Sequence, residues 1–565
     1  MNRFLVILMF FFCPHLNAQY DRAYTVLITE IMFDPEPSVG LPALEYIELF
    51  NNGNEVVNLL DWSISIDQSI IKFKDSIILQ PQHYLLLTKT NGCPLFDSLI
   101  SCRSVPGLSL PNTGGSVSIH SPPGKLVHGV VYNADMHSNI IKSKGGWSLE
   151  MKDIRTPCLL ATNWASSLNR SGGTPGRNNS LHEPPDEHEE LQVDDTYMPD
   201  SIHAMLTINQ GLDSIQLAAS FIAAFENSSG PGVSSWQVTG VQQNMVKLDF
   251  VEPVQPANTL RLLVEGLKSC VDSNAFSMTV PLAVNASAGK GDLIFNEIMY
   301  HPAVNEDEYI ELYNSSKKTI DLHAVYLLRI KAGGNADDPV RCSTLPRSVF
   351  PGEYVVLSKR DNHIQQTFGT DRRLIRVLDD FPILPDDGAL LMLVNESGDS
   401  IDLLDYDDSW HLPLIRSDAG IALERISESR PSTSHNWTSA AGPVFGTPGR
   451  LNSQHANAET LKGGISVEPM LFTPDLDGNA DILFISYKLP TPATIGNVSI
   501  VDINGRTIRS LANNRLLGTS GTFSWNGYSD TNTMMPTGVY IVVADFFDLT
   551  GKKLKFRQAV TLARR

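Results

Sequence analysis

The sequence lacks the short patterns by which many enzymes are recognised. No H-E-x-x-H zinc motif, G-x-S-x-G nucleophile turn or phosphate-binding P-loop occurs among its 565 residues. The 14 histidines are scattered along the chain. A hydrolase would therefore have to work without the usual signatures, which favours binding and structural roles.

Positive charge is scarce, with 43 Lys and Arg residues against 62 Asp and Glu residues. Proteins that bind nucleic-acid phosphates need a basic surface. The net charge of −19 therefore argues against nucleic acid as a partner. Membrane-length apolar runs are also missing. The run at residues 4–12 is too short to cross a bilayer, and no other reaches the ~18 residues that a membrane helix needs.

The first residues, MNRFLVILMFFFCPHLNAQ, have the order of a secretory signal peptide. Arg3 gives the positive start, an apolar stretch follows, and residues 16–18 form a cleavage site that ends in a small residue. Residues 1–18 are therefore predicted to be removed. Lipidation of Cys13 would anchor the chain, but Phe12 stands where a lipidation signal needs a small residue. We expect a secreted, extracellular or outer-surface protein, with the periplasm as an alternative.

Cysteine is sparse, with six residues in the chain and five after the signal peptide. An odd number spread over several domains does not form a disulfide scaffold. Cys93 and Cys102 are close enough in sequence to close a loop, which would contribute about 2–3 kcal/mol. Cys158, Cys270 and Cys342 are predicted to be small buried apolar residues.

What the sequence does contain is a long internal repeat. The pentapeptide Glu-Tyr-Ile-Glu-Leu occurs at 45–49 and again at 308–312. VLITEIM precedes the first copy and LIFNEIM the second. A Leu-Glu pair, an Asn-Trp pair and Thr-Pro-Gly-Arg follow both, the last two at the same offset of 273 residues. A shared start, middle and end indicate a duplicated domain of roughly 160 residues.

Both copies have the pattern of β-structure. Short runs rich in β-branched and aromatic residues, such as VLITEIM, EYIELF and EYVVLSK, recur between turn signals. Neither copy shows a convincing amphipathic helix. Trp164 and Trp437 close their copies at matching positions, so we expect core aromatics rather than sugar-stacking platforms. These features predict a sandwich or barrel.

The motifs EIM-x-x-P, EYIEL, Leu-Glu, Asn-Trp and a closing Thr-Pro-Gly together resemble the lamin-tail domain. The resemblance covers about 20–180 and 290–455. It implies an immunoglobulin-like β-sandwich that acts as a scaffold or interaction module, in a family without shared catalytic residues. Bacterial members of the family occur in secreted proteins and are often fused to enzymes.

Two further stretches resemble other sandwich modules. The segment 201–285 is similar to the immunoglobulin-like domain of bacterial surface-layer proteins. The last hundred residues resemble the immunoglobulin-like domain of flagellar hook-capping proteins and the C-terminal sorting domains of secreted Bacteroidetes proteins. Asn504-Gly505 marks a hairpin tip there. The predicted order is signal peptide 1–18, lamin-tail-like sandwich 19–180, acidic linker 181–200, immunoglobulin-like domain 201–285, lamin-tail-like sandwich 290–455 and C-terminal module 463–565.

One short stretch has the composition of a calcium loop. Its oxygen-bearing side chains are Asp475, Asp477, Asn479 and Asp481, with a glycine among them. No glutamate follows at the twelfth position of an EF-hand. The alternative is a polar turn ahead of a strand, where Asp and Gly are favoured anyway. No other cofactor is indicated, although His182 and His188 in the acidic linker could bind a metal weakly.

The repeated acids offer the strongest enzymatic interpretation. A hydrolase could use two carboxyl groups as acid and base, and each copy carries three candidates, namely Glu30, Glu45, Glu48 and Glu297, Glu308, Glu311. The alternative places them on strand surfaces or in bonds to neighbouring turns. Nothing nearby in sequence supplies a nucleophile or a histidine pair.

The sequence thus predicts an all-β chain of tandem immunoglobulin-like sandwiches. We expect a non-catalytic exported structural, adhesive or scaffolding protein that contacts another protein or a surface polymer. The alternatives are a secreted hydrolase of the nuclease or phosphoesterase type, or a carbohydrate-binding protein, with a site at a domain junction. Nothing in the sequence indicates an oligomeric state.

Overall fold

The computed structural model describes residues 23–137, 139, 141–181, 189–212, 222–225, 230–255, 259–271, 276–331, 333–456 and 463–564. The predicted signal peptide and both linker histidines, His182 and His188, lie outside these ranges. The chain divides into two compact units, Met1–Ala283 and Val284–Arg565.

The first unit begins with a β-sandwich formed by the first repeat. One sheet has the strand order β12-β11-β1-β2-β7-β8 and the other β10-β9-β4-β5, while β3 pairs with β6. The strands are β1 (Val26–Met32), β2 (Tyr46–Asn51), β3 (Val57–Asn58), β4 (Ser63–Ile66), β5 (Ser69–Lys72), β6 (Ile78–Leu79), β7 (Tyr84–Thr88), β8 (Cys102–Ser104), β9 (Gly114–Ser121), β10 (Lys125–Asn133), β11 (Leu149–Met151) and β12 (Trp164–Ser166).

Residues from both sheets of this sandwich form one hydrophobic core. Leu27, Ile64 and Ile119 are fully buried in it, and Trp164 packs with them, as predicted. Strand β1 is buried along its whole length rather than on alternate residues. Its second face is therefore covered as well, which brings Glu30 into the interior.

The rest of the first unit forms two smaller sheets, β13-β14-β17-β16 and β15-β18-β19. Strands β14 and β17 alternate between buried and half-buried residues, as strands with one face on a core do. Their strands are β13 (Val193–Tyr197), β14 (His203–Ile208), β15 (Ile222–Phe225), β16 (Val233–Thr239), β17 (Met245–Phe250), β18 (Leu260–Leu267) and β19 (Phe276–Leu282).

The prediction of an exposed linker over 181–200 is wrong in its second half. Val193–Tyr197 is a strand that pairs antiparallel with β14. Its sequence, VDDTY, contains two acids, and this composition hid the buried Val193 and Thr196. The two successive acids are half-buried. The register with β14 shifts between Val193 and Asp195, so the strand lacks the regular alternation by which it could have been recognised.

The second unit begins with the second repeat. Its sheets have the orders β27-β26-β21-β20-β30-β31 and β24-β23-β28-β29, and β22 pairs with β25. The strands are β20 (Leu293–Met299), β21 (Tyr309–Asn314), β22 (Ile320–Asp321), β23 (Val325–Ile330), β24 (Val340–Arg341), β25 (Ser348–Val349), β26 (Tyr354–Ser358), β27 (Ile375–Val377), β28 (Gly388–Asn395), β29 (Ser400–Asp407), β30 (Leu423–Arg425) and β31 (Trp437–Ser439). Trp437 lies in the core, as predicted.

A short helix in this repeat departs from the expectation of none. Helix α1 (Asn362–Phe368) buries Ile364 and Phe368 against Tyr309 and Val356. Gly369 ends it in the left-handed conformation, with φ of 66°. The helix has only 7 residues, too few for a helical period to stand out in the sequence.

The last part of the second unit consists of the sheets β32-β34-β37 and β33-β39-β38-β35-β36. Asn504-Gly505 lies in the turn between β35 and β36, as predicted. The strands are β32 (Gly464–Glu468), β33 (Leu471–Phe472), β34 (Leu483–Lys488), β35 (Thr494–Val501), β36 (Thr507–Leu517), β37 (Ser520–Trp525), β38 (Gly538–Phe547) and β39 (Lys553–Leu562).

The predicted all-β fold class of tandem sandwiches is confirmed. Neighbouring strands pair antiparallel except β7 with β8, β26 with β27 and β33 with β39. Single turns of 3-10 helix connect some of the strands, at Cys93–Leu95, Ala134–Met136, Lys142–Lys144, Leu160–Asn163, Leu322–Ala324, Arg372–Leu374, Asp408–Trp410 and Ser434–Asn436.

Two disulfide bonds cross-link the first unit. The predicted Cys93–Cys102 bond is present. Cys158 and Cys270 form a second bond across 112 residues, so the prediction that both are buried thiols is wrong. The N–H of Gly211 also donates to the carbonyl oxygen of Cys158. Only the fold brings these distant segments together. Cys342 is a buried free thiol, as predicted.

We predict that removing the long-range disulfide destabilises the protein more than removing the short one. Loop-closure entropy gives about 5 kcal/mol for a 112-residue separation and about 2.5 kcal/mol for a separation of 9. The measurement is the free energy of unfolding in denaturant. It would be compared between the paired variants Cys158→Ala/Cys270→Ala and Cys93→Ala/Cys102→Ala. Equal losses from both pairs would contradict the prediction.

Candidate functional site

A row of three buried glutamates crosses the larger sheet of the first sandwich. Glu30 on β1 lies opposite Glu48 on β2 and, on its other side, opposite Glu150 on β11. All three residues have no exposed surface. Like charges directly opposite each other destabilise a sheet, so this row depends on hydrogen-bond donors around it.

The turn that closes the first sandwich supplies backbone donors. Its sequence, TPGRNNS at 174–180, runs past all three glutamates, and each receives one N–H from it. At 2.5 to 2.8 Å, the N–H of Thr174 donates to Glu30, that of Gly176 to Glu48 and that of Ser180 to Glu150.

Side-chain hydroxyl groups complete the set of donors. Glu30 receives the hydroxyl groups of Tyr46 and Ser148, each at 2.6 Å. Glu150 receives that of Thr174 at 2.8 Å, while Thr29 donates to Glu48 at 3.0 Å. Buried polar groups require such partners, so the closing turn and the glutamate row each satisfy the other.

The side chain of Asn179 joins the same turn to the strands beneath it. Its Nδ2 donates to the carbonyl oxygen of Thr29 at 2.9 Å and to that of Met151 at 2.8 Å. The turn is thus held by its backbone and by a side chain. We call residues 174–180, together with the glutamates beneath them, the carboxyl latch.

The second repeat contains an equivalent carboxyl latch. Glu297 lies opposite Glu311 and Glu424 in the sheet. The hydroxyl group of Tyr309 donates to Glu297, as that of Tyr46 does to Glu30. The closing turn again provides three backbone donors, which are Thr447 to Glu297, Gly449 to Glu311 and Gln454 to Glu424.

Burial raises the pKa values of the glutamates on the first two strands of each repeat. It raises the pKa of Glu30 to about 7, with a further contribution from the charge of Glu150. In the second repeat it raises the pKa of Glu297 to about 8, with Glu424 adding to the effect. Burial, followed by the neighbouring carboxylate, also holds the pKa values of Glu48 and Glu311 well above the ordinary range. Both rows therefore retain protons near neutral pH.

The structure brings together four of the six glutamates proposed as an acid–base site. The other two, Glu45 and Glu308, lie just before strands β2 and β21 begin, and they are not part of the rows. Sequence reasoning missed the third member of each row, Glu150 and Glu424. The signal for them was the Leu-Glu pair shared by both copies. The alternative that the acids bond neighbouring turns is the one that the structure supports.

The predicted calcium ligands lie in an exposed turn before β34. Oxygen atoms of Asp475, Asp477 and Asp481 all lie within 4.8 Å of one another, and among the described residues this is the group of acids, histidines and cysteines suited to a metal ion. Asp481 accepts the N–H groups of Leu476 and Gly478, at 2.6 and 2.8 Å. These bonds also shape the turn.

Asn479 is the fourth predicted ligand. Its backbone N–H donates to Asp477 at 2.8 Å. The residues offer the carboxylate oxygen atoms that calcium prefers, so the site stays a prediction with three carboxylates at its centre.

One known protein family matches part of both repeats. A family model described as the lamin tail domain matches residues 21–134 and 286–408. The lamin tail domain thus matches both copies. The matched stretches end before β11 and β30, yet the structure pairs these strands with β1 and β20 in the same sheets. The Leu-Glu and Asn-Trp motifs therefore belong to the same sandwiches as the matched residues.

Solved structures show only distant likeness. The chicken CNTN1 FN1–FN3 domains share 9% identity, covering 66% of this chain and 98% of that one, with a TM-score of 0.13. A DUF4876 family protein from Bacteroides thetaiotaomicron shares 12%, covering 36% and 81%, with a TM-score of 0.17. Dimeric latent PorU from Porphyromonas gingivalis shares 9%, covering 71% and 36%, with a TM-score of 0.15. TM-scores this low carry no functional argument.

No curated protein sequence matches the chain. Among the residues described by the structure, no helix has the length and hydropathy required for a membrane span.

We predict that the carboxyl latches make stability fall as pH rises from about 4.5 to about 8. Glu30 and Glu297 have higher pKa values folded than unfolded, so the folded protein binds protons that the unfolded chain has released. Their contribution is fully present below the unfolded pKa and is lost as pH rises through about 7 and about 8, respectively.

The measurement is the free energy of unfolding at several pH values between 4.5 and 9. Glu30→Gln, which cannot titrate, should flatten the slope by up to about 1.4 kcal/mol per pH unit. Glu55→Gln, at an exposed position, is the control and should leave the slope unchanged. Identical slopes for the wild-type protein and Glu30→Gln would contradict the latch's role in pH dependence.

We predict that calcium raises the melting temperature of the C-terminal sheets. Three carboxylates within 4.8 Å repel one another, and a divalent cation would relieve that repulsion. Calorimetry in calcium and in chelator would show the shift, and Asp477→Asn should reduce it. Equal melting temperatures in both buffers would mean that these aspartates form only a turn.

Proposed function

We propose that this chain is a non-catalytic structural or adhesive protein that is exported to a bacterial cell surface. One observation carries the proposal. The acids that converge in both repeats are buried beneath their own closing turns, as the contacts of Glu48 and Gly176 illustrate. A hydrolytic pair has to line a cleft that substrate can enter. These glutamates instead fasten the ends of their sandwiches.

The tandem arrangement supports a role in display or adhesion. We assign lamin-tail-like sandwiches to 19–180 and 290–455 and immunoglobulin-like modules to 201–285 and 463–565. A series of filled sandwiches suits a protein that holds a binding surface away from its anchor. The C-terminal module is proposed to direct export and attachment, in keeping with its resemblance to sorting domains.

A secreted hydrolase of the nuclease or phosphoesterase type is the competing function. Purified protein would be assayed on nucleic acids, phosphoesters and glycans, and we expect no turnover. Turnover that is abolished by Glu48→Gln or Glu311→Gln, in variants with the circular dichroism of the wild-type protein, would overturn the proposal.

We predict that the native protein fractionates with the outer cell surface or the medium. The signal-like start and the sorting-like end both imply export. Antibodies against the first repeat and against the last residues would be used on separated cell fractions, with a cytoplasmic protein as control. Recovery of the intact chain in the cytoplasm, still carrying residues 1–18, would contradict the prediction.

A further inference from the structure

A polar cleft of about 440 Å³ opens on the first sandwich next to its carboxyl latch. Strands β2 and β7, the segment after β11 and the end of the latch contribute to its walls. We propose that this cleft binds a saccharide, through an aromatic face and a set of paired donors and acceptors. The inference rests on the proposed non-catalytic role and names the chemistry of the partner.

An aromatic pair forms the apolar part of the cleft. The rings of Phe50 and Tyr84 lie 4.8 Å apart, with Phe50 buried and Tyr84 half-buried. The hydroxyl group of Tyr84 donates to Oδ1 of Asn178 at 3.0 Å, which fixes the orientation of the ring. A fixed aromatic face with a polar rim suits the C–H face and hydroxyl edge of a sugar ring.

Amide and ion-paired side chains line the rest of the cleft. Gln82 and Asn178 are exposed there, and each carries an amide. Nε2 of Gln82 donates to the carbonyl oxygen of Gly53 at 3.3 Å, so Gln82 offers a ligand its acceptor Oε1, whereas Asn178 offers its donor Nδ2. Arg155 makes a two-pronged contact with Asp153, through Nε at 2.9 Å and Nη2 at 2.8 Å. Sugar hydroxyl groups both donate and accept, and such mixed planar groups match them.

The charge of the cleft argues against an anionic ligand such as phosphate. Asp153 neutralises Arg155, and Nζ of Lys152 donates to the carbonyl oxygen of Thr162 at 2.9 Å. The cationic groups are thus already engaged within the protein. A neutral saccharide requires none of them to be released.

The wall of the cleft also contains a buried acceptor without a hydrogen bond. Asn179 is 8% exposed, and its Oδ1 has no partner among the described residues. In the second repeat the equivalent Oδ1, on Asn452, accepts a hydrogen bond from Asn296. Thr29 stands at the position of Asn296 and donates to Glu48 instead. The first repeat therefore leaves Oδ1 of Asn179 without a hydrogen bond at the cleft, whereas the second repeat provides one for Oδ1 of Asn452.

The two repeats keep the framework around this position and differ in the lining. The aromatic pair recurs as Tyr313 and Tyr354, with centroids 4.9 Å apart. The polar groups do not recur. In the second repeat Gly352, Leu451 and Ser429 stand where the first has Gln82, Asn178 and Arg155. The second sandwich thus forms without these polar side chains, so the fold itself does not require them.

The backbone at Gln82 reinforces this conclusion. Its φ is 58°, in the left-handed region that favours glycine, and Gly352 adopts φ of 78° at the matching position. The first repeat carries a long amide side chain where glycine is the conformationally easier residue.

The test uses full-length protein on an array of neutral and uronic-acid oligosaccharides, followed by calorimetric titration of the hits. We expect binding to neutral saccharides. The variants Gln82→Gly and Asn178→Leu, which introduce the residues of the second repeat, should each weaken binding about tenfold or more, the effect of losing one or two hydrogen bonds. Tyr84→Ala should abolish it, and unchanged unfolding curves for the first two variants would exclude misfolding.

Leu451→Asn, the matched change in the second repeat, is the control and should leave affinity unchanged. An array without hits, or hits whose affinity is unaffected by Gln82→Gly and Asn178→Leu, would overturn the saccharide proposal. Binding only to uronic acids would overturn the assignment of a neutral ligand. None of these results depends on where the protein fractionates, so the proposed surface location can fail or hold separately.

Discussion

Three carboxyl groups placed side by side on neighbouring strands are the constraint around which each repeat is organised. Water cannot solvate them, because they are fully buried. The closing turn approaches with its N–H groups directed at the row, and the hydroxyl groups of Tyr46 and Ser148 meet the central glutamate. The pairing works in both directions, because the same turn would otherwise leave its own N–H groups buried and unbonded. The end of the repeat is thereby fixed to its first two strands.

This constraint explains why the two copies share some residues and not others. The glutamates, Tyr46 with its counterpart Tyr309, and the Thr and Gly of each closing turn recur because they share hydrogen bonds in the interior. Positions 82 and 352 lie outside that network and have diverged from glutamine to glycine. The two copies thus share the parts that close the sandwich and differ on the surface beside them.

Much of the fold could be predicted from the sequence. Apolar runs such as VLITEIM specify strands on their own, and two copies of the same motifs specify two similar sandwiches. The carboxyl latch could be predicted only in part, because the sequence shows its residues but not their burial. A glutamate flanked by Ile and Leu within EYIEL is compatible with an exposed or a buried position, and burial follows only when the turn more than 120 residues later covers it. The bond between Cys158 and Cys270 was invisible for the same reason, because the pairing depends on tertiary structure.

The same disulfide has a mechanical consequence for a chain that is stretched from its ends. Force applied at Cys158 is transmitted through the disulfide bond to Cys270, which lies 112 positions further along the chain, and bypasses the segment between them. At about 3.4 Å per residue, roughly 380 Å of contour length is withheld from extension. Strands β12 to β18, which lie between the two cysteines, are relieved of tension, while the strands outside that segment bear the load.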